Sequence, residues 1–128
     1  MVSGTWGNIL VVEDDDSLRS LFAKVLAQSG FGAVTASNER EARPLFTQYA
    51  FEVFICDLSA GGGRNVFEFV SYARQHQPEL AVLLISGYTP DDVAVQARIF
   101  GIDTMEKPFS PPQLVEKVRH MLARKAVA

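Results

Sequence analysis

Short aliphatic runs alternate along this chain with longer stretches in which apolar residues recur every three or four positions. Asn8-Ile9-Leu10-Val11-Val12 opens the series. Its four consecutive aliphatic residues, three of them β-branched, predict a strand buried on both faces. The acids Glu13 to Asp16 end that run, and Asp16 or Ser17 is placed to cap a helix. Leu18, Leu21, Phe22, Val25 and Leu26 follow at helical spacing until Ser29-Gly30. Phe31 to Ala36 predicts a second strand. Ser37 or Asn38 can cap a helix carrying Ala42, Leu45, Phe46 and Tyr49, with Pro44 inside the pattern. Phe51 to Cys56 is the third strand, ending at Asp57. After the loop Ser59-Ala60-Gly61-Gly62-Gly63, the residues Val66, Phe67, Phe69, Val70 and Ala73 mark a helix that finishes before Pro78.

The second half repeats the rhythm. Leu80 to Ile85 is an aliphatic strand, and Thr89 stands as the cap of a helix with Pro90 at its first position. Val93, Ala94, Ala97, Ile99 and Phe100 are that helix's apolar residues, and Gly101 stops it. Ile102 to Met105 is a brief fifth strand. Ser110 opens the last helix, which carries Leu114, Val115, Val118, Met121 and Leu122. Five strands alternating with five helices predict an α/β fold: a doubly wound parallel sheet with right-handed crossovers and helices on both faces.

Composition narrows the setting. A length of 128 residues suits one domain with its own core, read here as residues 8–124 between a flexible tail at 1–7 and a second tail at 125–128. A net charge of -3 without a basic patch gives no reason to expect direct nucleic-acid binding. No apolar run approaches the roughly 20 residues of a membrane span, so no membrane insertion is expected. The single cysteine, Cys56, excludes an internal disulfide and fits a reducing, cytoplasmic setting. It reads as strand filling. His76 and His120 lack metal-ligand spacing and read as surface residues.

In a doubly wound sheet, ligands bind beyond the carboxyl ends of the strands. Strand one delivers Glu13 and Asp14 there, strand three Asp57, strand four Ser86 and strand five Lys107. Clustered carboxylates repel one another unless a cation lies among them. Oxygen donors without His or Cys suit a hard ion, Mg²⁺ first and Mn²⁺ as a substitute. Such a metal, with Lys107, would neutralise charge on a transferred phosphoryl group, and Ser86 could hydrogen-bond one of its oxygens. Carboxylate nucleophiles form acyl phosphates by this route.

Ile9-Leu10-Val11-Val12-Glu13-Asp14-Asp15, Asp57-Leu58, Ser86-Gly87-Tyr88 and Lys107-Pro108-Phe109 together resemble the receiver domain of two-component response regulators, over about residues 8–124. The resemblance implies a flavodoxin-like sheet of strand order 2-1-3-4-5, with Asp57 as the phosphorylation site. It implies a histidine kinase or phosphotransfer protein as donor. Asp14, Asp57 and the backbone carbonyl of Ser59 would ligate the metal, with Glu13 acting directly or through water. Ser86 would follow the phosphoryl group, Lys107 would pair with Asp57 or its phosphate, and the bond to Pro108 would be cis. The domain would be a signalling module rather than an enzyme. With no output domain read after the last helix, it is expected to act on a downstream protein through helix 4, strand 5 and helix 5, with room for a homodimer. Ser86-Gly87-Tyr88-Thr89 and the short Gly101-to-Lys107 segment resemble receivers attached to hybrid sensor kinases.

Two departures stand out. The glycine-rich loop replaces the family's usual Met-Pro and is expected to be mobile, so the Ser59 carbonyl is expected to be less pre-organised for metal. Thr104 stands where the family carries an aromatic that reports switching, with Tyr88 as a substitute or a modulator of hydrolysis. A degenerate receiver that binds partners without phosphorylation is therefore the alternative function. A haloacid-dehalogenase-type phosphatase would need a second Asp two residues after the nucleophile, where Ser59 stands. A flavin- or nucleotide-binding module would meet the repelling acids Glu13 to Asp16.

Overall fold

Three strands buried on both faces, flanked by two more polar ones, set the architecture of the computed structural model, which describes residues 8–127. The strands β1 (Asn8–Val12), β2 (Gly32–Ala36), β3 (Val53–Asp57), β4 (Ala81–Ser86) and β5 (Asp103–Glu106) pair in parallel in the order β2-β1-β3-β4-β5. β1, β3 and β4 are buried nearly throughout, as their aliphatic composition requires. Successive side chains point to opposite faces, so each strand feeds two cores. Ile9, Val11, Val53, Ile55, Leu83 and Ile85 pack against α1 (Asp16–Gln28) and α5 (Pro111–Val127), through Phe22, Leu26, Leu114, Val118 and Met121.

The other face holds Leu10, Val12, Phe54, Cys56, Val82 and Leu84. It is covered by α2, α3 (Val66–His76) and α4 (Asp91–Ile99). α2 is a pair of short helices, Glu39–Ala42 and Leu45–Gln48, divided at Arg43 and Pro44. The continuous helix predicted there is corrected by Pro44, which cannot donate an interior hydrogen bond. Phe46 still anchors the pair, with edge-on contacts to Phe51, Phe54 and Phe69.

The caps at Asn38 and Ser110 are as predicted, and that of α1 is shifted by one residue. Asp15, not Asp16 or Ser17, caps α1, accepting from Leu18 N at 2.9 Å. Asn38 caps α2 through Glu41 N. Ser110 and Gln113 satisfy each other's backbone N–H before α5. That helix runs to Val127, into the stretch read as a tail from sequence, and near its end Arg124 bonds Asp103 and Lys125 bonds the Glu52 carbonyl. The tail predicted at 1–7 lies outside the described residues.

β5 is the most polar strand, and its outer edge has no strand partner among the described residues. Asp103 ties it to α5, accepting from Lys117 Nζ at 2.9 Å and Arg124 at 2.7 Å. Burial pushes the Asp103 carboxyl up, but the bonds from Arg124 and Lys117 outweigh it and hold the group below the usual carboxylate range. A depressed folded-state pKa gives stability that is present above the unfolded value and lost as pH falls through the folded one. Asp103→Asn is therefore expected to cost about 1–2 kcal/mol in urea unfolding at neutral pH. The deficit should shrink as pH drops below about 4. A deficit independent of pH would assign the loss to packing instead.

Candidate functional site

The carboxyl ends of β1, β3, β4 and β5 converge on one rim, and Lys107 is its centre of charge. Its Nζ lies 2.8 Å from Glu13 Oε1 and 2.9 Å from Asp57 Oδ1. Glu13 is fully buried and Asp57 nearly so, while Asp14 beside them is exposed. One carboxylate oxygen from each of Glu13, Asp14 and Asp57 lies within 4.8 Å of the other two. The backbone delivers Lys107 to this place: its N–H donates to Ser86 O at 2.7 Å, and the following bond to Pro108 is cis.

Each buried acid has further partners. Glu13 Oε2 accepts from Asp15 N at 3.1 Å, and its carbonyl accepts from Arg19 at 3.0 Å. Asp57 Oδ2 accepts from Ser59 Oγ at 2.7 Å and from Ala60 N at 3.2 Å. Burial still lifts the Glu13 carboxyl above its usual range, against the bond from Lys107. Burial also works against the Lys107 ammonium, but its bonds to Glu13 and Asp57 outweigh that and raise its pKa. Three carboxylates face a single ammonium, so the rim carries surplus negative charge that a further cation would neutralise.

Of the residues singled out from sequence, Glu13 and Asp57 meet Lys107 directly, and Asp14 lies beside the two acids. Ser86 stands beside them, buried, but its hydroxyl pairs with Thr89 Oγ1 at 2.6 Å and makes no bond to Asp57. The Ser59 carbonyl accepts from Gly62 N at 3.3 Å. Tyr88 is 72% exposed, and Thr104 is exposed on β5. Two contacts went unread in the sequence: the Ser59 hydroxyl on Asp57, and Thr89 as a partner of Ser86 rather than a helix cap. Local spacing could have flagged both, since Ser59 is two residues from Asp57 and Thr89 three from Ser86.

The model of the response regulator receiver domain matches residues 9–119. The chain belongs to that family. A response regulator described as NtrX-like from Rickettsia felis is 30% identical over 113 residues, covering 84% of this chain and 23% of its own length. The chain thus spans about a quarter of the curated relatives it matches. NtrX from Brucella abortus superposes with a TM-score of 0.82 at 28% identity, covering 94% of this chain and 27% of that one. A CheY-like receiver from Methanospirillum hungatei gives 0.84 at 22% identity, covering 93% and 95%, a likeness of fold. This receiver domain is a signalling module of two-component systems, and none of its described helices is long and apolar enough to cross a membrane.

The glycine loop has a steric reason beside the site. A Cβ on Gly61 would lie 2.4 Å from the buried Cys56 Sγ, and Gly62 has φ +100°. Gly61 N donates to Asp57 O and Gly63 N to Leu58 O, closing the turn that presents Ser59 and Ala60 to Asp57. Gly61→Ala is expected to cost about 1–3 kcal/mol in chemical denaturation. In a Cys56→Ala background the same change should cost about 1 kcal/mol less. Equal costs in both backgrounds would show that the thiol is not the obstacle.

Proposed function

We propose that this receiver accepts a phosphoryl group on a carboxylate oxygen of Asp57, beside a divalent metal, and signals by binding another protein. The observation that carries this reading is the pairing of a nearly buried Asp57 with Lys107, next to the carboxylates of Glu13 and Asp14 just after β1. Asp14, Asp57 and the Ser59 carbonyl would hold Mg²⁺ or Mn²⁺, with Glu13 direct or through water. Their all-oxygen character fits a hard ion. When bound, the metal offsets charge on the phosphoryl oxygens.

The chain's own groups do the rest. The Asp57 oxygen forms a bond to phosphorus as the phosphorus–nitrogen bond of a phosphohistidine donor breaks, and the leaving imidazole takes up a proton. Lys107 is already in contact with the accepting carboxylate, so its charge is in place before transfer. The Ala60 N–H and Ser59 hydroxyl fix the carboxylate's orientation. Ser86 turns to the phosphoryl group once it is attached. Hydrolysis returns the domain to rest, and the turnover is that of a switch rather than an enzyme.

Output through α4, β5 and α5 is supported by Val95 and Ile99, which are 51% and 72% exposed one helical turn apart on α4. A cytoplasmic setting and a histidine kinase or phosphotransfer donor follow from the same reading. Tyr88, strongly exposed beside Ser86, is placed to modulate hydrolysis or output. A degenerate receiver is the second reading, favoured by the exposed Thr104 and by a Ser86 hydroxyl engaged with Thr89.

Calorimetric titration with beryllofluoride separates the two. The parent is expected to bind this acyl-phosphate mimic only with Mg²⁺, and Asp57→Asn not at all. A metal at a hundredfold excess over its Kd should stabilise the parent by about 2.7 kcal/mol. A parent that binds neither, or an Asp57→Asn variant that binds both as well, supports the degenerate reading instead.

A further inference from the structure

Thr89 stands one residue before Pro90, the place from which a hydroxyl caps a helix with proline at its first position. It does not do so here. α4 starts at Asp91, and the preceding Pro90 provides no side-chain cap. The half-buried Thr89 hydroxyl goes instead to the buried Ser86, at 2.6 Å. This short hydroxyl pair, partly shielded from water, occupies the Ser86 hydroxyl, while Asp57 Oδ2 takes its hydrogen bonds from Ser59 and Ala60.

The geometry points to Thr89 as a positioning residue that latches Ser86 in its resting orientation, so that the latch must open before Ser86 reaches a group on Asp57. This rests on the phosphoacceptor reading above. It also supplies a readout that needs no aromatic at Thr104: opening the pair frees the segment Gly87 to Pro90, which leads directly into α4. A second link between the acceptor loop and α4, Arg64 to Asp92, is bidentate at 2.9 and 3.1 Å. Its partners are 68% and 60% exposed, so water and salt screen it and it serves as a control.

The test is the affinity of the full chain for beryllofluoride with Mg²⁺. Thr89→Val keeps the branched shape and removes the hydroxyl. It is expected to bind the mimic about fivefold tighter, the equilibrium worth of one net hydrogen bond lost from the resting state. Thr89→Ala should tighten binding in the same sense, and Thr89→Ser, which restores the hydroxyl, should return to the parental value. In a Ser86→Ala background, Thr89→Val should change nothing. Arg64→Ala should stay within about twofold of the parent. A parent that binds while Thr89→Val binds no tighter overturns the latch alone. The same holds if Thr89→Val keeps its effect without Ser86. A parent that does not bind the mimic overturns both the latch and the phosphoacceptor reading.

Discussion

The contact on which this molecule depends is the ammonium of Lys107 held between two buried carboxylates, Glu13 and Asp57. Burying one acid away from water is costly, and burying two side by side is costlier. Lys107 makes both tolerable, and the Asp15, Ser59 and Ala60 donors satisfy what remains. Among the described residues no buried side-chain polar atom lacks a partner. The arrangement is balanced but not neutral, because Asp14 adds a third carboxylate from the exposed side. That surplus attracts a cation and, without one, would repel a phosphoryl group.

The rest of the fold serves to hold that contact. β1 and β3 are adjacent and parallel, so Glu13 and Asp57 leave the sheet at neighbouring ends. β5 lies two strands away from β3, and Lys107 reaches back across β4 by pinning its own N–H on Ser86 O. The apolar side chains on the two faces fix the strands against α1 and α5 below and against α2, α3 and α4 above. The loops after β3 and β4, by contrast, carry glycine at Gly61, Gly62 and Gly87 and hydroxyls at Ser59 and Thr89.

Much of this was legible in the sequence because burial leaves a periodic trace. The aliphatic runs of β1, β3 and β4 located the sheet, and the residues just beyond them located Glu13, Asp14, Asp57 and Ser86. β5 was harder to place because Asp-Thr-Met-Glu has little strand character, and tertiary ion pairs from Lys117 and Arg124 help to hold it. The break in α2 at Pro44 and the end of α5 at Val127 depend on similar competition between local preference and packing. Spacing put the hydroxyls of Ser59 and Thr89 within reach of Asp57 and Ser86 but did not choose their partners. Either can bond several nearby groups, and only the folded loops decide which.

The central claim is that the carboxylate pinned by Lys107 is the atom group that receives phosphorus. Its most direct measurement is intact-protein and peptide mass spectrometry after incubation with Mg²⁺ and a small phosphoryl donor such as acetyl phosphate. The account requires an increment of one phosphoryl group on the peptide bearing Asp57, labile to hydroxylamine as an acyl phosphate is, and missing from Asp57→Asn and from samples without the metal. A chain that gains no phosphoryl group, or that gains one on a residue other than Asp57, contradicts it.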